Sequence, residues 1–288
     1  MYKADVTCIG GDLTGKGIIP IVEKSSGAFA ATFAAENFKF NSRDETDNLV
    51  RKIADRGYYS FFTNDAELGQ VNADPAKKHQ VFIQLMKERL QSWLTLADQH
   101  LANTGIRCFI MPGNDDYLDL DQTFESCKHV VNPEGKFIQI DEYEMISTGY
   151  TNITPWNCPR DIPESKLSEK IDSMAAEVKN MQKCVFNFHC PPYDTGLDLA
   201  PKLVDMKPIM QGGEFVMEPV GSKAVRDAIE KYQPMIGLHG HIHESRGAEK
   251  IGRTLCLNAG SEYSNGVLRG IFLNLQKGEL KGYTFTAG

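Results

Sequence analysis

The sequence has no run approaching the ~20 consecutive apolar residues that span a bilayer as a helix. Its opening, Met1-Tyr2-Lys3-Ala4-Asp5, lacks the charged, apolar and small-residue regions of a secretory signal. These absences argue against a membrane or exported protein and predict a cytoplasmic one. Cysteine is sparse and unordered. The seven residues Cys8, Cys108, Cys127, Cys158, Cys184, Cys190 and Cys256 are odd in number and contain no C-x-x-C pair, which speaks against a disulfide framework and a thiolate zinc cluster. Positive charge is short as well: 31 Lys and Arg against 38 Asp and Glu leave a formal net charge of -7. A general nucleic-acid binder carries an excess of basic residues to neutralise phosphates, so that class is not expected. Internal repeats, low-complexity tracts and an obvious interdomain linker are also lacking.

What remains is the composition of an ordinary soluble globular chain of 288 residues, 41% hydrophobic and 24% charged, long enough to bury a substantial core. The spacing predicts a long helix over Pro75–Leu101, with Asp74 as N-cap, Pro75 at the first helical position and Asn103-Thr104-Gly105 as the stop. Phe82, Leu85, Met86, Leu90, Trp93, Leu94, Ala97 and Leu101 fall at three- and four-residue steps and mark its core face. A second helix is predicted over 164–181 and a third after Ser222, ending before Pro234. Each is followed by a short apolar run, at 106–111, at 184–188 and at 235–238, and a similar run opens the chain at 6–9. Helices alternating with compact apolar strands predict an α/β fold with a largely parallel or mixed sheet. The rhythm breaks at 17–65, where strand-like pieces (18–22, 28–33, 38–40) and a short helix (45–56) suggest an inserted, cap-like region within a single domain spanning 1–288.

The chemistry-bearing residues stand where strands end. The four apolar runs lead into Gly10-Gly11-Asp12, Pro112-Gly113-Asn114-Asp115-Asp116, His189-Cys190-Pro191-Pro192 and His239-Gly240-His241-Ile242-His243. In open α/β sheets, sites form beyond the carboxyl ends of strands, so tips far apart in sequence can converge. Carboxylate, imidazole and amide oxygen together suit Mn, Fe or Zn better than an all-oxygen calcium site. Glycines 11, 113 and 240 let the backbone turn sharply beside each ligand.

Gly11-Asp12, Gly113-Asn114, the lone His189 and Gly240-His241-Ile242-His243, in this order, resemble the motifs of the calcineurin-like metallophosphoesterases across roughly residues 4–275. The resemblance implies a four-layered α/β/β/α sandwich and a site for two divalent metal ions. Asp12 would bridge the ions, Asn114, His189 and His241 would complete one, and His243 would bind the other. It implies a metal-dependent phosphoester hydrolase, a phosphodiesterase or phosphomonoesterase, whose ions activate a water and neutralise phosphoryl charge. The partner is then a phosphoester substrate.

Two departures bear on this expectation. The family's first motif, Asp-x-His, has no counterpart upstream of Asp12. Asp98-Gln99-His100 cannot replace it, since a two-residue step in a helix separates side chains by about 200°. The expectation is that a segment of roughly 25 to 40 residues, the size of a strand, ligand loop and helix, precedes Met1 in the functional protein. A chain without that motif could instead be a non-catalytic or one-metal scaffold. Second, Asp115 occupies the position where many members carry a transition-state histidine. Asp115 and His239 are therefore the candidate catalytic residues. Arg160 and Arg246 are candidates for holding a substrate phosphate, because guanidinium pairs well with phosphate oxygens. Asp116, Asp119 and Asp121 read as solvated loop and cap residues, and His79, His100 and His129 as structural histidines. Gly10-x-x-x-x-Gly15-Lys16 nearly spells a phosphate-binding loop. The following Gly17 supplies no hydroxyl for magnesium, and Ile18-Ile19-Pro20 opens no helix.

Overall fold

The computed structural model describes residues 4–288, which divide into two compact units. The first comprises the segment ending at Leu13, Ala97–Glu262 and Val267–Gly288. Its centre is a six-stranded sheet in the order Gly247–Ile251, Thr254–Asn258, Ile236–His239, Cys184–Phe188, Tyr143–Thr148, Phe137–Ile140. The four inner strands run parallel and the two outer ones antiparallel to their neighbours. Every residue of Cys184–Phe188 and of Tyr143–Thr148 is buried, which is why both lack the alternation of a half-exposed strand. A second, parallel sheet holds Val6–Gly10, Arg107–Met111 and Val130–Val131.

Two helices cover one face of the large sheet. Leu167, Ile171, Met174 and Ala175 of Glu164–Ala175, with Ala224, Val225, Ala228 and Ile229 of Lys223–Tyr232, pack on Ile146, Phe186 and Phe188. Fully burying one such Leu or Ile stabilises by about 1.5–3 kcal/mol, so these stripes hold the helices far more firmly than propensity does. Ser222 caps the second helix as its sequence suggests, accepting from Val225 N at 3.2 Å. On the other face Met145, Val185, Ile236 and Leu257 meet Phe109 of the small sheet and Ile271, Leu273, Leu280 and Phe285 of the C-terminal hairpin. Helix, sheet and sheet thus form successive layers within this unit. The predicted helix over 164–181 stops at Ala175, because the Glu144 carboxylate accepts from Lys179 N (2.9 Å) and Asn180 N (3.0 Å) and turns the chain into the next strand. Residues 199–219 form two hairpins of two-residue strands enclosed by an antiparallel pair of three-residue strands, joined where Lys202, Ile209 and Val216 exchange backbone hydrogen bonds.

The second unit, Thr14–Leu96 with Tyr263–Gly266, carries a four-stranded sheet in the order Glu36–Phe40, Phe29–Phe33, Ile18–Glu23, Tyr59–Asn64. Leu49 and Ile53 of the helix Asp47–Asp55 pack on its Ile21, Phe29, Ala31 and Phe33. The segment read as an insertion is therefore the first part of a unit that continues through the helix Asp65–Ala73 and along the long helix to Leu96. Asp74 caps the long helix through Ala76 N at 2.9 Å. That helix buries Ile83, Met86, Leu90 and Leu94, while Trp93, expected on the core face, is 44% exposed. Among the described residues no helix is long and apolar enough to cross a membrane.

Candidate metal centre

Parallel pairing sets up the site. Gly10 lies opposite Met111, and Phe188 opposite Thr148, so the loops at 11–13 and 112–116 leave one sheet at the same edge, and the loops after Phe188 and His239 do the same in the other. Ligating atoms of Asp12, His189 and His241 lie within 4.8 Å of one another, from three separate strand tips. Asp12 and His241 hold left-handed backbone, at φ 53° and 62°. Non-glycine residues adopt it at a cost of order 1–3 kcal/mol, which the contacts around each loop must offset.

The loops touch backbone to backbone. A Cβ on Gly113 would stand 2.2 Å from Asp12 Oδ1 and 2.3 Å from its amide nitrogen, and one on Gly149 would stand 1.8 Å from the Pro112 carbonyl oxygen. Gly113→Ala is expected to push the two loops apart, costing roughly 2–3 kcal/mol of stability on the scale of overpacked cores and weakening metal binding. Denaturant unfolding and metal titration of that variant check this; a wild-type Mn2+ affinity would show that the loops can yield.

Asp116 fastens the same two loops. It was expected to be a solvated cap residue, and the structure corrects this: its carboxylate is fully buried and accepts from Leu13 N at 3.1 and 3.0 Å and from Gly113 N at 2.7 Å. These backbone donors satisfy a charge that burial alone would make costly.

His189 is 3% exposed. Its Nδ1 stands 2.7 Å from the Gly10 carbonyl, which can only accept, so Nδ1 carries the proton. Nε2 is then turned to Asp12 Oδ2 at 3.1 Å, without the directed geometry of a hydrogen bond. A carbonyl behind the ring fixing the tautomer is the usual arrangement for a metal-binding histidine. The His241 ring centroid lies 5.1 Å from that of His189. Burial opposes charge on His189, but the Asp12 carboxylate more than offsets it and raises the imidazole to about 9. Burial would raise Asp12 too. The charge and contact of His189, then His241 and the Asp115 N–H, hold it well below the usual carboxylate range. Burial, with the positive charge of His189, pushes His241 down to about 4.

Asn114 is 2% exposed, with Nδ2 donating to Asp161 at 3.0 Å and Oδ1 buried without a hydrogen-bond partner. His243 falls outside the 4.8 Å cluster, though its charge acts on His241. Asp115 is exposed; its N–H reaches Asp12 Oδ1 at 3.4 Å and its carboxylate accepts from Cys158 Sγ at 2.8 Å. His239 turns back along its own strand, with Nδ1 3.1 and 3.0 Å from the carbonyls of Phe188 and Cys190. Its Nε2 is buried, and a Cβ on Gly237 would stand 2.6 Å from it. The Arg160 guanidinium is fully buried, donating to Asp116 O, Tyr117 O and the Asp121 carboxylate. Arg246 is exposed and stacks 4.6 Å over the Phe285 ring. Asp161 and Gly149, which no motif marks, were missed in the sequence.

The residues present fit a divalent ion. Asp12, His189 and His241 offer a mixed nitrogen and oxygen donor set suited to Mn, Fe or Zn, and His189 Nε2 within it, like Asn114 Oδ1 on the neighbouring loop, is a buried ligand atom without a protein hydrogen-bond partner.

No protein-family model matches the chain. Over 150 residues, 51% of this chain, it is 32% identical to MJ1162, an uncharacterised protein of Methanocaldococcus jannaschii, and the matched stretch is 61% of that protein's length. Among solved structures it is similar to TT1561 of Thermus thermophilus, at 14% identity and TM-score 0.43, over 62% of this chain and 73% of that one. Similarity to the sulfate thiohydrolase SoxB of Thermus thermophilus, in complex with glycerol, is 12% in identity with TM-score 0.38, over 85% of this chain and 41% of that one. An archaeal phosphodiesterase is similar at 15% identity and TM-score 0.26, over 67% of this chain and 90% of that one. Likenesses at these scores leave the function to be read from the site itself.

Proposed function

We propose that this chain is a metal-dependent phosphoester hydrolase of the calcineurin-like metallophosphoesterase type, with the four-layered sandwich of that family. The observation that carries the reading is the convergence of Asp12, His189 and His241 from separate strand tips. Asp12, Asn114, His189 and His241 would hold one ion, and Asp12 with His243 a second; Mn, Fe or Zn match the donors. When bound, such ions supply Lewis-acid polarisation of a phosphoryl oxygen and a water acidic enough to attack near neutral pH.

The chain's own residues do the rest. Gly10 O and the Asp12 carboxylate hold the His189 ring, and Asp116 keeps the Asp12 and Asn114 loops in register. Asp115, exposed and with its N–H reaching Asp12, would hold or deliver a proton to a departing oxygen. His239 and Arg160, whose polar atoms are turned into the protein, act on the site through its loops. Arg246, exposed and stacked on Phe285, would meet a substrate phosphate. Asp115→Asn is expected to lower turnover at least about 100-fold, the lower end of the range of general acid catalysis, with unchanged metal content. Loss of an ion in that variant would make Asp115 a ligand.

A one-metal form is the alternative, because Asp12, His189 and His241 already cluster within 4.8 Å of one another as a single group. The experiment is titration with Mn2+, Fe2+, Co2+ and Zn2+ by calorimetry, with bound metal counted by elemental analysis, followed by hydrolysis of a nitrophenyl phosphodiester and monoester. Two ions and metal-dependent hydrolysis support the dinuclear enzyme. One ion without hydrolysis supports a scaffold. No bound ion at any pH from mildly acidic to mildly alkaline overturns the reading.

A further inference from the structure

Asp161 belongs to none of the four motifs, yet its carboxylate accepts five hydrogen bonds beside them. Oδ1 accepts from Asn114 Nδ2 and Thr151 Oγ1, each at 3.0 Å. Oδ2 accepts from Thr154 N at 2.9 Å, Thr154 Oγ1 at 2.5 Å and Cys158 N at 3.0 Å. An ionised carboxylate only accepts, so the Asn114 amide can face it only with its NH2 end. The opposite end, Oδ1, is thereby fixed as the buried atom that no protein donor reaches. An asparagine amide left to itself has two nearly isosteric orientations, one of which offers NH2 where an ion needs oxygen.

We infer that Asp161 is a positioning residue for the metal centre, holding the Asn114 amide in the orientation that offers Oδ1 as a ligand. The inference rests on the metal-site reading above and adds a residue that acts through Asn114 rather than on substrate. Asp161 also folds the loop between Thr151 and Cys158, so its test must separate the two roles.

A charge swap does so. In Asp161→Asn, Oδ1 of the new amide can keep Thr154 N and Cys158 N, leaving its NH2 facing the NH2 of Asn114. Asn114 must then flip or lose its tether. In Asn114→Asp, two carboxylates face each other across the same contact. In the double variant Asn114→Asp/Asp161→Asn, the residue 161 amide donates to the residue 114 carboxylate, the loop bonds persist, and the charge of the pair is unchanged.

Mn2+ affinity measured by calorimetry on the full chain is expected to fall about 10- to 100-fold in Asp161→Asn, the range for residues that orient a metal ligand. It should fall in Asn114→Asp as well, and the double variant should recover at least about tenfold over either single one. Thr154→Val, which removes a loop bond without touching Asn114, should leave affinity within about threefold. Recovery in the double variant is the result a purely structural role does not give. The inference is overturned if Asp161→Asn binds Mn2+ like the wild type, if it and Thr154→Val weaken binding equally, or if Asn114→Asp alone matches the double variant. A wild-type chain that binds no Mn2+ would instead bring down the metal-site reading, and this inference with it.

Discussion

Replacing His241 by Ala is expected to remove metal binding and hydrolysis together, by at least about 100-fold in Mn2+ affinity, since even residues that only orient a ligand are worth 10- to 100-fold. His241 contributes one of three side chains whose ligating atoms lie within 4.8 Å, and its strained left-handed backbone fixes where the ring can go. The remaining Asp12 and His189 would then face each other as a charge pair at 3.1 Å, a contact that competes with an ion instead of forming its cage. Two controls bracket the result. His79→Ala changes a residue outside the cluster and should leave both quantities within about twofold, as substitutions away from a site do. His239→Ala removes a buried ring bonded to two carbonyls, so it should lower stability while leaving the Mn2+ stoichiometry intact. If all three variants lost metal equally, unfolding would explain the loss and the site assignment would fall.

The ligand positions could be read from sequence because each follows a strand whose signature survives without tertiary context. Cys184–Phe188 is buried on both faces, hence a run that is apolar except for Asn187, whose amide donates to Ser147 Oγ. Gly113 and Gly11 were visible as turn residues, although the reason no other side chain fits, contact with Asp12 and His189, is a fact of the folded site. What sequence could not show are contacts between loops. Asp116 looks like any loop carboxylate until Leu13 N, 103 positions away, is found on it. Asp161 meets Asn114 across 47 positions, and only the fixed tautomer and amide orientations reveal what that contact does. Arg160 reads as a phosphate binder for the same reason: its true partners, Asp116 O and the Asp121 carboxylate, belong to another loop. The hairpins at 199–219 escaped because strands of two or three residues carry no usable period. On the long helix, Met86, Leu90 and Leu94 lie on the expected face, while Ile83 rather than Phe82 completes the buried stripe and Trp93 faces outward.

Stripped of metal, the protein is expected to be most stable near pH 6.5 and to weaken on both sides. On the alkaline side the cause is His189. Burial works against its charge, but Asp12 outweighs burial and raises it to about 9 from an ordinary 6.5. Between these values the folded state holds a proton that the unfolded chain has released, so stability falls as pH rises through that window. The full interval corresponds to roughly 3 kcal/mol, as an upper figure for one coupled pair. On the acid side, burial holds His239 and His241 near 4, so below 6.5 the unfolded chain takes up protons that the folded state refuses, and stability falls with pH. Asp12, held low, contributes stability above its unfolded value and loses it only at still lower pH. Urea unfolding at constant ionic strength with EDTA, from about pH 4.5 to 9.5, measures the profile across both windows. His189→Gln should flatten the alkaline limb. Saturating Mn2+ should flatten it as well, because an ion on His189 Nε2 takes the place of the proton, and the stabilisation by metal should grow from about pH 6.5 to 9. Stability of the metal-free protein that does not fall over that same interval would mean that His189 is neutral beside Asp12 and that the two do not form a charge pair.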